Sequence, residues 1–175
     1  MAHGLENVLE AAARLDHRKD LVFLFAGPGA ARDGLIQEAK ERNLTNVVFI
    51  PPQPKDSMPA IWSLCDVALI HLKDSPVFAE VIPSKIFEAM GMGLPVLIAA
   101  PAGEATEIVN KAGAGLIVPP EDTNALIQAV EQFLDDPEFR TSAGRRSFAA
   151  APAYSRAFQA KAMIAALDAA SPVAR

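Results

Sequence analysis

The chain has 175 residues, 51% of them apolar and 21% charged, which is enough to bury one ordinary core and too apolar to stay disordered. Acidic and basic residues are interspersed and the formal net charge is −5, which excludes broad binding of nucleic acid or membrane surfaces through bulk charge. A single cysteine, Cys65, excludes an internal disulfide and fits a reducing compartment, and no apolar run approaches the ~20 residues of a membrane span.

Met1 and Ala2 lead almost at once into a helical spacing, Leu5, Val8, Leu9, Ala12 and Leu15, which predicts a helix from about Gly4 to Asp16. Most α/β domains begin on a strand, so the expectation is a fragment whose first strand, and with it a preceding domain, lies upstream. Leu21–Ala26 is apolar on both faces, as in a strand buried within a parallel sheet. Gly27-Pro28-Gly29 turns the chain into a second helix, Ala31 to Asn43. Val47–Ile50 is the next strand and Pro51-Pro52 ends it. A third helix starts near Lys55 and carries Met58, Ile61, Trp62 and Cys65. Asp66–His71 forms the third strand, Leu72–Val81 a loop, and Pro83 to about Met92 a helix. Leu94–Ala99 makes the fourth strand, followed by a helix over Glu104–Lys111, and Gly115–Val118 the fifth. Helices over Thr123–Leu134, Pro137–Ala149 and Ser155–Ala169 complete the chain.

Strands alternating with helices imply an α/β domain with a Rossmann-like parallel sheet, five or six strands with the upstream one counted, and helices on both faces. Ligands of such sheets bind at the carboxyl ends of the strands. That rule selects Gly27–Gly29, Pro51–Pro54, Leu72–Lys85 and Ala100–Glu107.

Chemistry concentrates in one stretch, Glu80-Val-Ile-Pro-Ser-Lys-Ile-Phe-Glu88, followed by Ala-Met-Gly-Met-Gly-Leu-Pro-Val. With Pro83 as first helical residue, the N–H groups of Ser84, Lys85 and Ile86 point outward unpaired. Together with the positive end of the helix dipole they suit a diphosphate, and the Lys85 ammonium adds charge. Glu88, one turn in, repels phosphate but is able to accept both hydroxyls of a ribose. Glu80 precedes the helix, within reach of a sugar beyond the phosphates. Gly103 is placed to bring backbone amides to the same edge, and Gly27 and Gly29 to let a ligand approach the turn. Three scattered histidines and Cys65 give no metal-ligand spacing, and there is neither a Walker-type loop nor a nucleophile elbow.

Glu80 and Glu88, the Pro-Ser-Lys at the helix start and the Phe-Glu-Ala-Met-Gly-Met-Gly-Leu-Pro-Val run resemble the family-4 retaining glycosyltransferases of the GT-B fold (glycosyl transferases group 1). Gly27-Pro-Gly29, Asn46-Val-Val-Phe-Ile-Pro and Asp66-Val-Ala-Leu-Ile extend the likeness, in order, from about Gly4 to Ala150. The subgroup it looks closest to builds O-antigens and other bacterial surface polysaccharides. The resemblance implies that residues 1–175 are the C-terminal, donor-binding domain, with acceptor recognition in an absent N-terminal domain. By position, Glu88 would hold the ribose, the backbone of Ser84 and Lys85 the diphosphate, and the Pro51–Gln53 backbone, Pro52 and Gln53 included, the base edge. Glu80 would face the donor sugar, as the catalytic carboxylate. His3 stands near where many members carry a phosphate-binding lysine, and the first glutamate is often absent from the subgroup.

The implied function is retaining transfer from a nucleoside-diphosphate sugar, UDP-linked by preference, to a surface-polysaccharide or lipid-linked acceptor. The nucleotide sugar is a substrate, and the scheme calls for no cofactor and no metal. The implied location is cytoplasmic, peripheral to the inner membrane in a full-length enzyme. Two other readings stand beside it: a UDP-sugar 2-epimerase-like GT-B enzyme, which needs acid–base residues not evident here, and a non-enzymatic nucleotide-binding module. Ala157, Phe158, Lys161, Ala162, Ile164 and Leu167 stripe the last helix as a face for a partner domain, so a missing domain would leave apolar surface free for self-association.

Overall fold

The structure, a computed structural model, describes residues 3–170. Met1 and Ala2, from which the sequence enters its first helix, lie outside the described residues. Helix α1 (Leu5–Arg14) is entered through Gly4, whose φ of 52° is left-handed. A Cβ at Gly4 would approach the Lys73 side chain to 3.1 Å and the His71 ring to 3.2 Å, so both conformation and space call for glycine.

Among the described residues five parallel strands follow, each where an apolar run predicts one. They form two separate ladders. Strand β1 (Phe23–Ala26) pairs with β2 (Val47–Ile50), Phe23 opposite Val47. Strands β3 (Ala68–His71), β4 (Val96–Ala99) and β5 (Gly115–Val118) form the second ladder in that order, with Ala68 opposite Val96 and Val96 opposite Gly115. The expected single sheet is thus interrupted between β1 and β3. Among the described residues no strand joins them.

Strand β4 is buried at all four positions, and its side chains alternate between two cores as the two-residue period requires. Val96 and Ile98 face α5 (Lys85–Gly91) and α6 (Glu104–Ala112), where Ile86, Ala89, Met90 and Val109 close the first core. Leu97 and Ala99 face α1 and α7 (Thr123–Asp135), packing with Val8, Ala12, Leu126 and Phe133, and Phe23 of β1 joins this second core. A third, smaller cluster of Leu9, Leu35 and Ala39 ties α1 to α2 (Arg32–Glu41). Each fully buried Leu or Ile contributes on the order of 2 kcal/mol by leaving water, which makes β4 the structural centre.

The helix starts follow their caps. The Asp122 carboxylate accepts the Ala125 N–H at 3.0 Å to start α7, and Asp136 accepts the Phe139 N–H at 2.8 Å to start α8 (Pro137–Ala150), with Pro137 in the first turn. The third helix is shorter than its spacing suggests. A 3-10 turn at Lys55–Ser57 leads into α3 (Met58–Trp62), and Cys65 lies beyond its end. The Leu72–Val81 loop contains a further short helix, α4 (Pro76–Ala79). A 3-10 turn at Ala151–Tyr154 leads into the last helix, α9 (Arg156–Ala170), which exposes Phe158, Met163, Ile164 and Leu167. Among the described residues no helix is long and apolar enough to cross a membrane.

Candidate functional site

The segments after β1, β2, β3 and β4 gather along the carboxyl edge of the strands, because every ladder is parallel. The start of α5 carries the densest group. Here the structure corrects the sequence reading by two residues: Lys85 is the first helical residue, Ser84 the N-cap, and Pro83 precedes it. The physical reason lies in the Pro83 carbonyl, which accepts the Ile86 N–H at 3.1 Å in a tight turn. Of the three amides expected to be unpaired, Ile86 is therefore occupied. Those of Ser84 and Lys85 have no acceptor among the described residues.

Glu88 is exposed one turn further on, and both its oxygens are engaged. The Ser84 hydroxyl donates to Oε1 at 3.3 Å, and the Trp62 indole N–H donates to Oε2 at 3.4 Å. Ser84 spends its hydroxyl on this carboxylate rather than on capping the helix. The bonds are long, so they orient the group while each oxygen keeps a lone pair for an incoming hydroxyl. Trp62 escapes a reading of the sequence because it sits 26 positions away, on α3. The one sequence signal for it is an indole, which wants a partner for its N–H, just after the Pro51–Pro54 loop on the same edge.

The other predicted residues are more dispersed. Lys85 is exposed beside the free amides. Glu80 is exposed and directly follows α4. Pro52 and Gln53 are exposed in the loop after β2, where the Gln53 amide turns back to donate to the Pro51 carbonyl at 3.2 Å. Gly27, with φ 110°, and Gly29 form the turn after β1. Gly103 packs directly on α4: a Cβ would fall 2.0 Å from the Ala79 carbonyl oxygen, so glycine lets the β4–α6 turn touch the segment leading to Glu80. Its own N–H is taken by the Thr106 hydroxyl at 3.0 Å, and that hydroxyl donates in turn to the Gly103 carbonyl at 2.8 Å.

His71, at the end of β3, is buried. Its Nδ1–H donates to the His3 carbonyl at 2.7 Å, its Nε2 accepts from the Asn7 amide at 2.9 Å, and the Thr123 hydroxyl donates to the Asn7 carbonyl oxygen. These bonds lock one neutral tautomer, and burial holds its pKa below the usual imidazole value. His3 is joined to the end of β3: its Nδ1–H donates to the His71 main-chain carbonyl at 3.2 Å. Cys65 is half-buried against the first core, and burial pushes its thiol up. Among the described residues no three His, Cys, Asp or Glu side chains are grouped closely enough to hold a metal ion.

The edge is therefore an open shelf combining two free amides, a lysine, an oriented carboxylate and an indole. Residues 2–149 match the family described as glycosyl transferases group 1. The chain belongs to that family. It is 35% identical over 144 residues to WcaI of Escherichia coli (strain K12), named for colanic acid biosynthesis glycosyl transfer, covering 80% of this chain and 34% of that protein. It is 33% identical over 139 residues to the alpha-D-kanosaminyltransferase of Streptomyces kanamyceticus, covering 78% and 34%. The chain thus spans about a third of the length of these curated relatives. Among solved structures, Anabaena HepE, in complex with UDP and glucose, superposes with a TM-score of 0.78 at 20% identity over 97% of this chain and 45% of that one. The C-terminal domain of the group 1 glycosyl transferase LpcC from Francisella tularensis superposes at 0.71 and 20% identity, over 85% and 77%. The Rossmann-like α/β fold is common to this chain and these two solved structures.

Proposed function

We propose that this chain is the C-terminal, donor-binding half of a retaining glycosyltransferase and that it binds a nucleoside-diphosphate sugar at the start of α5. The observation that carries the reading is the pairing of free Ser84 and Lys85 amides with a carboxylate one turn later, steadied by Ser84 and Trp62. Amides and the Lys85 ammonium neutralise a diphosphate; the Glu88 carboxylate accepts the two ribose hydroxyls. Pro83 sets the tight turn that leaves those amides free. The Pro52–Gln53 backbone meets the base, Gly27 and Gly29 leave room beside the ligand, and Glu80 faces the sugar next to the Gly103 turn.

UDP is the preferred nucleotide, and HepE with UDP and glucose supports that choice. The superposition on a C-terminal domain supports the assignment of this half. Charge developing on the departing diphosphate is stabilised by donors already in place, an electrostatic form of catalysis that needs no metal or other cofactor. The acceptor, a surface polysaccharide or lipid-linked sugar in the cytoplasm, is held by the other half of the intact enzyme, so the 175-residue chain alone transfers no sugar. The apolar face of α9 packs on that other half, and without it supports self-association.

Calorimetric titration of UDP, UDP-N-acetylglucosamine and GDP into wild type and Glu88→Ala tests the reading. UDP and the UDP-sugar should bind wild type and lose at least about tenfold in affinity in the variant, the cost of removing a charged hydrogen-bonding partner. Equal affinity in both proteins, or sugar transfer by the isolated chain, would refute the assignment.

A further inference from the structure

Glu80 is exposed, yet the backbone that carries it is held at several points. Phe78 before it and Ile82 after it both pack against the first core. Earlier in the same connection from β3 to α5, the Asp74 N–H donates to the Glu121 carboxylate at 3.0 Å, which ties it to the β5–α7 turn. Glu121 has a left-handed φ of 56°, a conformation that a residue with a Cβ keeps only where its surroundings impose it.

The closest approach is at Gly103. Its φ of 175° is extended backbone open to any residue, so conformation does not call for glycine there. Space does. A Cβ would lie 2.0 Å from the Ala79 carbonyl oxygen and 2.8 Å from the carbonyl carbon, and neither yields as a flexible side chain would. Gly103 is also kept from retreating. Its N–H donates to the Thr106 hydroxyl at 3.0 Å, and its carbonyl accepts that hydroxyl at 2.8 Å and the Glu107 N–H at 3.0 Å. Thr106 is only 6% exposed, so water does not compete for these bonds. The Gly103 N–H is thus spent inside its own turn, and what the turn offers the site is a surface on which the residue before Glu80 rests.

We propose that the β4–α6 turn is the seat that sets the position of Glu80, with Gly103 and Thr106 as positioning residues for a carboxylate that contacts the donor's sugar. The proposal rests on the reading that Glu80 faces that sugar. Gly103 permits the close approach, and Thr106 keeps the turn from giving way. A larger residue at 103 must push the Ala79–Glu80 peptide away, and a displacement of roughly 1 Å is enough to spoil a directed contact. Ile82, anchored in the first core, stands between Glu80 and the start of α5. The disturbance therefore falls on the sugar end of the site and spares the diphosphate end.

The test reads the sugar increment, the ratio of UDP-sugar affinity to UDP affinity. UDP, UDP-glucose and UDP-N-acetylglucosamine are titrated calorimetrically into the 175-residue chain and its variants. Glu80→Gln should lower the increment at least about fivefold, the loss of one charged hydrogen-bonding partner. Gly103→Ala should lower it to a similar extent with Glu80 intact. The double variant should lose no more than either alone, because both changes remove one and the same contact. Thr106→Val, which deletes the hydroxyl and keeps the shape, should lower it about two- to threefold, and Thr106→Ser should restore it. The Thr106 pair decides the matter even where Gly103→Ala does not fold. An undiminished increment in Gly103→Ala and Thr106→Val, or losses in Gly103→Ala and Glu80→Gln that add, overturns the proposal and leaves the donor site at α5 standing. A wild type that gains nothing from either sugar, or an increment indifferent to Glu80→Gln, overturns the sugar-facing reading of Glu80 and the proposal with it. Absence of UDP binding overturns the donor site itself, and both fall.

Discussion

The two ladders differ in how far each is enclosed. Strand β4 lies between two partners and under helices on both faces, with all four residues buried and separate cores above and below. The β1–β2 pair is thinner: Ala26 is exposed at its tip, Val48 is 46% exposed, and the cluster beneath α2 holds three buried residues. The groups proposed to bind the donor hang from the enclosed ladder, whose connections carry Glu80, Ser84, Lys85, Glu88 and Gly103. The thin ladder contributes only its turns. Burial is thus concentrated under the edge proposed to bind the diphosphate, and the β1–β2 pair is the less enclosed half.

The largest test of that contrast is packing. Ile98→Ala, at the centre of β4 with no exposed surface, should cost about 3 kcal/mol in chemical denaturation. Val48→Ala on β2 should stay within about 0.5 kcal/mol. Similar losses at the two sites would remove the distinction between an enclosed and a thin half.

A smaller effect sharpens it through pH. His71 joins β3 to α1 as a neutral imidazole whose folded pKa is depressed by burial, with His3, Glu6 and Glu121 its charged or titratable neighbours. The unfolded chain, with an ordinary value near 6.5, takes up the proton first. Stability is therefore complete above that value and falls as pH drops from there through the folded pKa. His71→Asn should abolish this slope in urea melts at a series of pH values. A slope that persists in the variant would assign the dependence elsewhere.

The smallest effect belongs to Trp62. Trp62→Phe keeps the aromatic body and deletes the donor to Glu88, so UDP affinity should fall about two- to fivefold with the melting temperature nearly unchanged. Full retention of affinity would leave the indole a packing residue only.

How much of this is legible in the sequence depends on how local the cause is. All five strands are apolar runs between turn signals, and their positions follow directly. Helices α7 and α8 start where the sequence places them, and the structure shows why, with Asp122 and Asp136 capping their first turns. Helix α4 hides inside a segment read as loop, although Ser75-Pro76 is the start signal of a short helix; four residues leave no room for a periodic pattern. The first turn of α5 falls two residues late because a proline carbonyl, not an intrahelical one, satisfies Ile86. The interruption between β1 and β3 and the Trp62–Glu88 bond are beyond sequence reading for a common reason. Both depend on which distant segments become neighbours, and neither strand run nor indole spacing encodes that.

The central claim concerns the start of α5, and a heteronuclear NMR titration with UDP addresses it most directly. Binding there predicts saturable shifts at the Ser84 and Lys85 amides and at the Trp62 indole N–H as Glu88 takes ribose hydroxyls on its remaining lone pairs, with little change on α8. Shifts confined to other surfaces, with those three signals unmoved at saturation, would contradict it.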